Sequence, residues 1–572
     1  MTPPTATPPP RRSLVARFGP LVVVLVAIGL VAALSSTGRN ESVSAKGAPA
    51  SGSQTGSANA QLPVYYQDAK AEGDLDQYDF GPKCDPATGR MKVPSLYAPP
   101  CAAARPDVKP NVSPQGVTAT QITVVVYVPA DDDLAASLQG QLDTKADTAT
   151  TTKNVIDMFA NTYETWGRKI KVVKLKGSGS DETSARADAV KVAEEIKAFA
   201  SVGGPAQESA YAEELAKRGV VCVSCGLSMP DSTYQKYKPY LWGNLQTPEQ
   251  YLLNLGDFII ERLLGKKAEF AGSPELRSQT RNFGVVHFEQ DPPVFSGVEA
   301  AVDKSGKARG YDPAVNLTYQ LVIPDLPEKA RVLISRLKEA KVTSVVFLGD
   351  PVMPIYLTKA ATDQNYFPEW IITGTVLTDT TVFGREYDQK QWAHAFGVSS
   401  LPARVPQNKT DAWTTYQWYW GAKPPAAKTV AVITEPIRTL MTGIHMAGPH
   451  LTPETFRDGL FAYPPTGGYP TAPRISFGDH DLFQNPDFTA VDDMGVIWWN
   501  PDLRGPDEQG KVDKGMMMAA DGGKRYLPGE MPHTPANVFD PKGAVALYPE
   551  VPADAKPPQY PPPCPGGCKP TL

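Results

Sequence analysis

At 572 residues, with 56 Lys and Arg against 61 Asp and Glu, the chain is long enough for two or three domains and carries a net charge of only −5. No long basic or acidic block interrupts it, so nucleic acid finds no electrostatic footprint and is set aside as a partner. Arg11, Arg12 and Arg17 precede an apolar run at 18–34 and a polar segment at 35–40. This predicts a signal-anchor or signal segment over 1–35, with positive charge inside and the remainder extracytoplasmic. The run lies at the short limit of a membrane span and the long limit of a signal core. Ala33-Leu34-Ser35 is a weak cleavage signal and no cysteine stands nearby for lipid attachment. A single-pass anchor in the cell membrane is therefore expected, with secretion after cleavage as the alternative. Arg11-Arg12-Ser13-Leu14-Val15 is also similar to a twin-arginine export signal.

Residues 36–115, rich in Ala, Ser, Gly and Pro, read as a flexible tether and a small cysteine-containing region. Regular structure begins with a β-branched strand at 122–128, followed by helix 152–165, strand 170–175, helix 185–199 and helix 207–218. That helix feeds the apolar run Val220, Val221, Cys222, Val223, a strand buried on both faces that breaks into a loop of small residues through Thr233. A long helix at 249–264 leads into a second series: strand 283–288, helix 295–303, strand 317–322, helix 327–340, strand 345–349, helix 352–364 and strand 370–373. A strand at 396–401 and helices at 429–446 and 453–461 follow, and 541–572 reads as an extended proline-rich tail closed by Cys564 and Cys568. Strands and helices alternating at this spacing predict an α/β fold with mostly parallel, helix-flanked sheets.

In a doubly wound sheet, ligands bind beyond the carboxyl ends of the strands, where Ser224, Gly226 and Ser228 fall. Gly226 allows close backbone approach and the serines offer hydrogen bonds, although the same loop also reads as a turn with Ser228 capping a short helix. The six cysteines form three close pairs, Cys84 with Cys101, Cys222 with Cys225 and Cys564 with Cys568, expected as disulfides in an oxidising compartment. Residues three apart in a strand are roughly 10 Å apart, so the middle pair needs a turn at Ser224. A redox role for that pair is the weaker reading, because it ends a strand instead of opening a helix. Asp131, Asp132 and Asp133 read as solvated acids. His445, His450 and Asp479-His480-Asp481 match no metal spacing and read as surface or capping residues. No metal and no cofactor is expected.

Several stretches in fixed order carry a family resemblance: Gly116-Val117-Thr118 before strand 122–128, Arg168-Lys169-Ile170, and VSCGLSMPDST from Val223. Ser335 to Ala340 before VTSVVFLGD, Tyr366-Phe367-Pro368-Glu369-Trp370, and Ala447-Gly448-Pro449 before LTPETFRDGL complete the set. Over about 116–532 the chain resembles the type I periplasmic substrate-binding proteins of the branched-chain amino-acid, amide and urea transport group. The resemblance implies a bilobal domain over 116–540, with lobe 1 at about 116–280 and 398–480 and lobe 2 at about 281–397 and 481–540. It implies capture, without catalysis, of a small polar solute, amino-acid-like or an amide, for an ABC permease. The family's carboxylate-binding positions fall on Gly226, Leu227 and Ser228, beside Ser224. The preceding loop falls near Gly204 and Gln207, where Pro205 offers no amide donor. From the second lobe the matching positions are Asp291, Asp350 and Thr375, with Asp350 also readable as the cap of the helix near Val352. Where amino-acid binders place an acidic residue, this chain reads Gly374-Thr375-Val376-Leu377, without a carboxylate. Competing readings are an exported thiol oxidoreductase, a hydrolase, and a ligand-sensing or scaffold protein of the cell envelope. No nucleophile elbow, zinc helix motif or phosphate loop supports the hydrolase.

Overall fold

The computed structural model describes residues 61–133, 142–205, 209–226, 229–289 and 310–569. The segment at 1–35 and the helix expected at 295–303 lie outside them. Among the described residues, no helix is long and apolar enough to cross a membrane.

The first sheet grows from the β-branched run that opens β1 (Gln121–Val128). It continues through α1 (Lys145–Thr162), β2 (Lys169–Lys176), α2 (Glu182–Val190), β3 (Ala200–Val202), α3 (Ala210–Lys217), β4 (Val221–Val223) and β5 (Leu241–Trp242). The strands lie in the order β2-β1-β3-β4-β5, and all pairs are parallel. Strand β2, KIKVVKLK, carries lysines at 169, 171, 174 and 176 and takes the sheet edge, where charge discourages further pairing.

Residues 243–247 then cross to α4 (Pro248–Asp257), opened by a reciprocal cap in which Thr247 and Gln250 satisfy each other's backbone N–H groups. The second sheet follows: β6 (Phe283–Phe288), β7 (Val315–Tyr319), α5 (Leu326–Glu339), β8 (Ser344–Leu348), α6 (Met353–Asp363), β9 (Glu369–Ile372) and β10 (Ala395–Ser399). Every residue of β6, β8 and β9 is buried, as expected of parallel strands covered on both faces. The chain recrosses to α7 (Asp411–Trp420), α8 (Val430–Ala447) and α9 (Pro453–Phe461). It crosses a third time to the antiparallel strands β11 (Met494–Pro506) and β12 (Val512–Ala519), with β13 (Arg525–Tyr526) beside β11. The sheet order is β7-β6-β8-β9-β10-β11-β12.

Two apolar cores result, one per sheet. Leu252, Leu255, Phe258, Ile259 and Leu263 belong to the second core. The helix that the sequence placed ahead of a boundary near 281 therefore packs with the second lobe, because its apolar stripe faces that sheet. Residues 61–105, which hold the Cys84–Cys101 pair, are docked on the first lobe. Tyr65, Tyr66, Met91 and Val93 join the first core, Tyr65 donates to the Met446 carbonyl at 2.7 Å, and Cys84 and Cys101 are bonded. The carboxyl-terminal segment is not a free tail. Val545 exchanges backbone hydrogen bonds with Ala519 in the second lobe. Further on, Tyr560 donates to Asp85 at 2.9 Å and Cys568 N donates to the Tyr419 carbonyl at 3.0 Å, both on the first lobe. The segment is a strap across both lobes, ending in the Cys564–Cys568 bond.

Two polar expectations change. His445 is buried, not superficial: its Nδ1 accepts from Glu164 N at 3.0 Å, so Nε2 carries the proton and donates to the Pro100 carbonyl at 2.8 Å. Of the three acids, Asp131 pairs with Lys145 and Lys176, Asp132 accepts from Ser180, and Asp133 is buried instead of solvated.

Candidate functional site

The carboxyl ends of both sheets converge on one junction. Only residues 243–250 separate the exit of β5 from Tyr251, whose hydroxyl sits where a Cβ on Gly374, just past β9, would have to be. The exit of β10, at Ser399, opens the second crossing.

On the first-lobe side, Ser224 adopts φ +53° as β4 ends. That turn brings the Cα atoms of Cys222 and Cys225 to 5.7 Å and the two are bonded. Both are 1 % exposed, so neither sulfur is open to a redox partner and the thiol oxidoreductase reading gains no support. Ser224 Oγ donates to Asn244 Oδ1, and Asn244 Nδ2 donates to Thr439 on α8 at 2.9 Å, which ties the loop to the first crossing and to a helix. A Cβ on Gly204 would overlap the Cys225 carbonyl oxygen. Gly204 is thus the position of close backbone approach. A Cβ on Gly226 would meet Met229 alone, its Sδ at 3.4 Å, an ordinary contact. Gln207, Leu227 and Ser228 lie outside the described residues.

Asp291 on the second-lobe side also lies outside them. Asp350 is fully buried and turned inward: Oδ1 accepts from Val352 N at 2.7 Å and Met353 N at 3.0 Å, and Oδ2 accepts from Tyr319. Burial raises its pKa, and the arrangement is a cap on α6. Thr375 Oγ1 donates to the Gly349 carbonyl at 3.0 Å and accepts from Gly349 N at 3.1 Å, stitching the exits of β8 and β9. A carboxylate does reach this end of the sheet. Asp379 Oδ2 lies 3.1 Å from the point a Gly374 Cβ would occupy and accepts from Ser399 Oγ. Burial pushes its pKa up to about 7.

The crossings are joined by a buried polar network. Gln250 Nε2 donates to Asp487 Oδ1 at 2.7 Å, Thr489 Oγ1 donates to Gln250 Oε1 at 2.8 Å, and Ser476 donates to Asp492 at 2.8 Å. Gln246, on the first crossing, is 5 % exposed, yet neither polar atom of its side chain has a partner. Tyr251, Gln246 and Asp379 escaped sequence reasoning, since no motif marks them and only tertiary structure brings them to the junction. Among the described residues, no group of three or more His, Cys, Asp or Glu is placed to hold a metal ion.

Two mostly parallel, helix-flanked sheets joined by three crossings make the two-lobed periplasmic-binding-protein fold that the resemblance implied. No protein-family model matches the chain, and no curated protein matches it in sequence. Among solved structures, it is similar to a solute-binding protein of an ABC transporter from Rhodopseudomonas palustris BisB5, in complex with 3,4-dihydroxybenzoic acid. Identity is 13 %, TM-score 0.45, and the match covers 71 % of this chain and 98 % of that one. It is also similar to a branched-chain amino-acid transporter substrate-binding protein from Streptococcus pneumoniae, in complex with isoleucine, at 13 % identity and TM-score 0.44, covering 70 % and 100 %. A fatty-acid ABC transporter substrate-binding protein from Thermomonospora curvata matches at 14 % and 0.44, covering 74 % and 95 %. Likeness at this level carries no argument about this chain's ligand.

Proposed function

We propose that the chain is an extracytoplasmic solute-binding protein that captures a small polar ligand between its lobes, without catalysis, for an ABC-type importer. The observation that supports this most is the convergence of both sheets' carboxyl ends on a junction spanned by residues 243–250. Lobes joined by crossings close on a hinge, and a small polar solute needs its groups matched from both sides. Gly226, Leu227 and Ser228 take the polar head, beside Ser224, Gly204 and Gln207. Asp291 is the second-lobe residue assigned to the same ligand, while Asp350 and Thr375 hold the frame. Gln246, with both polar atoms unmet, is the group on the crossing that a ligand would satisfy. The amino-terminal segment tethers the protein to the membrane, where a permease reads the closed form.

Mass spectrometry of small molecules released from the purified chain, then calorimetry with the compound found, tests this reading. One-to-one binding with a fall in radius of gyration by X-ray scattering is expected. Turnover of the compound, or binding without a change in shape, would sink it.

A further inference from the structure

The three disulfides differ in what surrounds them. Cys84, Cys101, Cys222 and Cys225 are at most 5 % exposed, so a reductant does not reach their sulfurs while the lobes are folded. Cys564 and Cys568 are partly exposed, and Pro563, Pro565 and Gly566 beside them are open to solvent.

This accessible bond closes the turn that seats the end of the strap on α7. Within the turn Gly567 N donates to the Cys564 carbonyl at 3.0 Å, and Gly566 and Gly567 both take left-handed backbone, at φ +76° and +96°. The turn approaches the carboxyl end of α7 backbone to backbone. A Cβ on Gly567 would overlap the Trp420 carbonyl oxygen, and one on Gly421 would lie 3.1 Å from the Gly566 carbonyl oxygen. Cys568 N donates to the Tyr419 carbonyl at 3.0 Å, one of the acceptors that a helix end leaves unmet. Two successive glycines lose much conformational freedom in such a turn, a loss that the bond between the flanking cysteines offsets. Upstream, the strap has a separate hold: Trp418 Nε1 donates to the Tyr560 carbonyl at 2.9 Å, and the Tyr560 hydroxyl donates to Asp85.

We propose that the Cys564–Cys568 bond is a site of thiol–disulfide exchange with a dithiol reductant, and that opening it releases residues 561–569 from α7. A thiolate of the reductant attacks one of the two sulfurs, and the other leaves as a thiolate. The reductant's second thiol then displaces the first from the mixed disulfide. The dithiol ends as a disulfide, and its two electrons and two protons end on Cys564 and Cys568. The strap keeps its hold at Tyr560, and the end of α7 is uncovered. The assignment uses no residue of the interlobe junction and stands apart from the solute-binding reading.

Graded dithiothreitol on the full chain under native conditions, followed by iodoacetamide and peptide mass spectrometry, tests the exchange site. Cys564 and Cys568 are expected to be alkylated at least about tenfold faster than the other four cysteines, because attack needs access to sulfur. Hydrogen exchange tests the release. On reduction, peptides covering 561–569 should exchange at least about tenfold faster while those covering β1 stay unchanged. The Cys564→Ser/Cys568→Ser chain should show the fast exchange without reductant. Alkylation of Cys84 or Cys222 as fast as that of Cys564, or a bond at Cys564 that resists dithiothreitol until the chain unfolds, would overturn the proposal. So would exchange over 561–569 that is the same before and after reduction. Should the double variant fail to fold, exchange of the reduced full chain decides alone.

Discussion

A single methyl group is enough to force apart the two loops that leave β3 and β4. In Gly204→Ala the new Cβ overlaps the Cys225 carbonyl, and backbone, unlike a flexible side chain, cannot swing away. A loss of about 1–3 kcal/mol is expected in chemical denaturation, with weaker ligand binding in calorimetry because the loops no longer share one geometry. Gln246→Leu should do the opposite to the empty protein. Removing a buried amide with no partners stabilises it by about 1 kcal/mol, while affinity for the interlobe ligand falls at least about tenfold. Unchanged affinity would remove Gln246 from the site. Asp350→Ala separates capping from ligation: two backbone N–H groups lose their acceptor, and about 2 kcal/mol of stability should go with them.

At the scale of elements, the network between the first and third crossings makes stability depend on pH. Burial pushes Asp487 up to about 7 and Asp492 up to about 8, so the folded chain keeps protons that the unfolded chain releases near pH 4. Their contribution is complete below about pH 4 and is lost as pH rises through 7 to 8. His445, pulled down to about 4 by burial, works in the other sense: its contribution is present above about pH 6.5 and lost as pH falls towards 4. Urea denaturation at several pH values should show a decline in stability from pH 6 to 8.5 that flattens in Asp492→Asn. An unaltered slope in that variant would mean that Asp492 is ionised in the fold.

The elements legible in the sequence are those with a period or a boundary. β6, β8 and β9 announce themselves as short apolar runs, and α5 by apolar positions such as Ala330, Leu333, Ile334 and Leu337 at helical spacing. The turn at Ser224 follows from the spacing of Cys222 and Cys225. Sequence reasoning missed β11 and β12, where Asn500-Pro501 interrupts the apolar run and the register shifts between Asn500 and Arg504. It also missed the docking of 61–105 and of the strap, whose Pro- and Ala-rich composition resembles a linker. Isolated aromatics such as Tyr65 and Tyr560, with no periodicity between them, dock these segments. Asp379 was missed because its place beside Gly374 depends on how the chain runs after β9, which no local pattern encodes.

For the whole molecule, the strap adds a connection to the three crossings, anchored at Val545 on one lobe and at Tyr560 and Cys568 on the other. Any opening of the lobes must either stretch residues 546–559 or peel one anchor away. Ending the chain at 540 should therefore broaden the range of interlobe distances, read by double electron–electron resonance between labels on α3 and α5. A distribution identical to that of the full chain would show that the strap does not restrain the hinge.

The crossings also decide the order in which the molecule can be completed as it is made. The first sheet is finished at Trp242, but α8 and α9, which supply Ile437, Leu440, Ile444 and Phe456 to its core, arrive only after β10. The second sheet in turn waits for β11 and β12. A chain emerging amino-terminus first must therefore hold two unfinished apolar surfaces at once, and the bond between Cys564 and Cys568 is among the last features it can form.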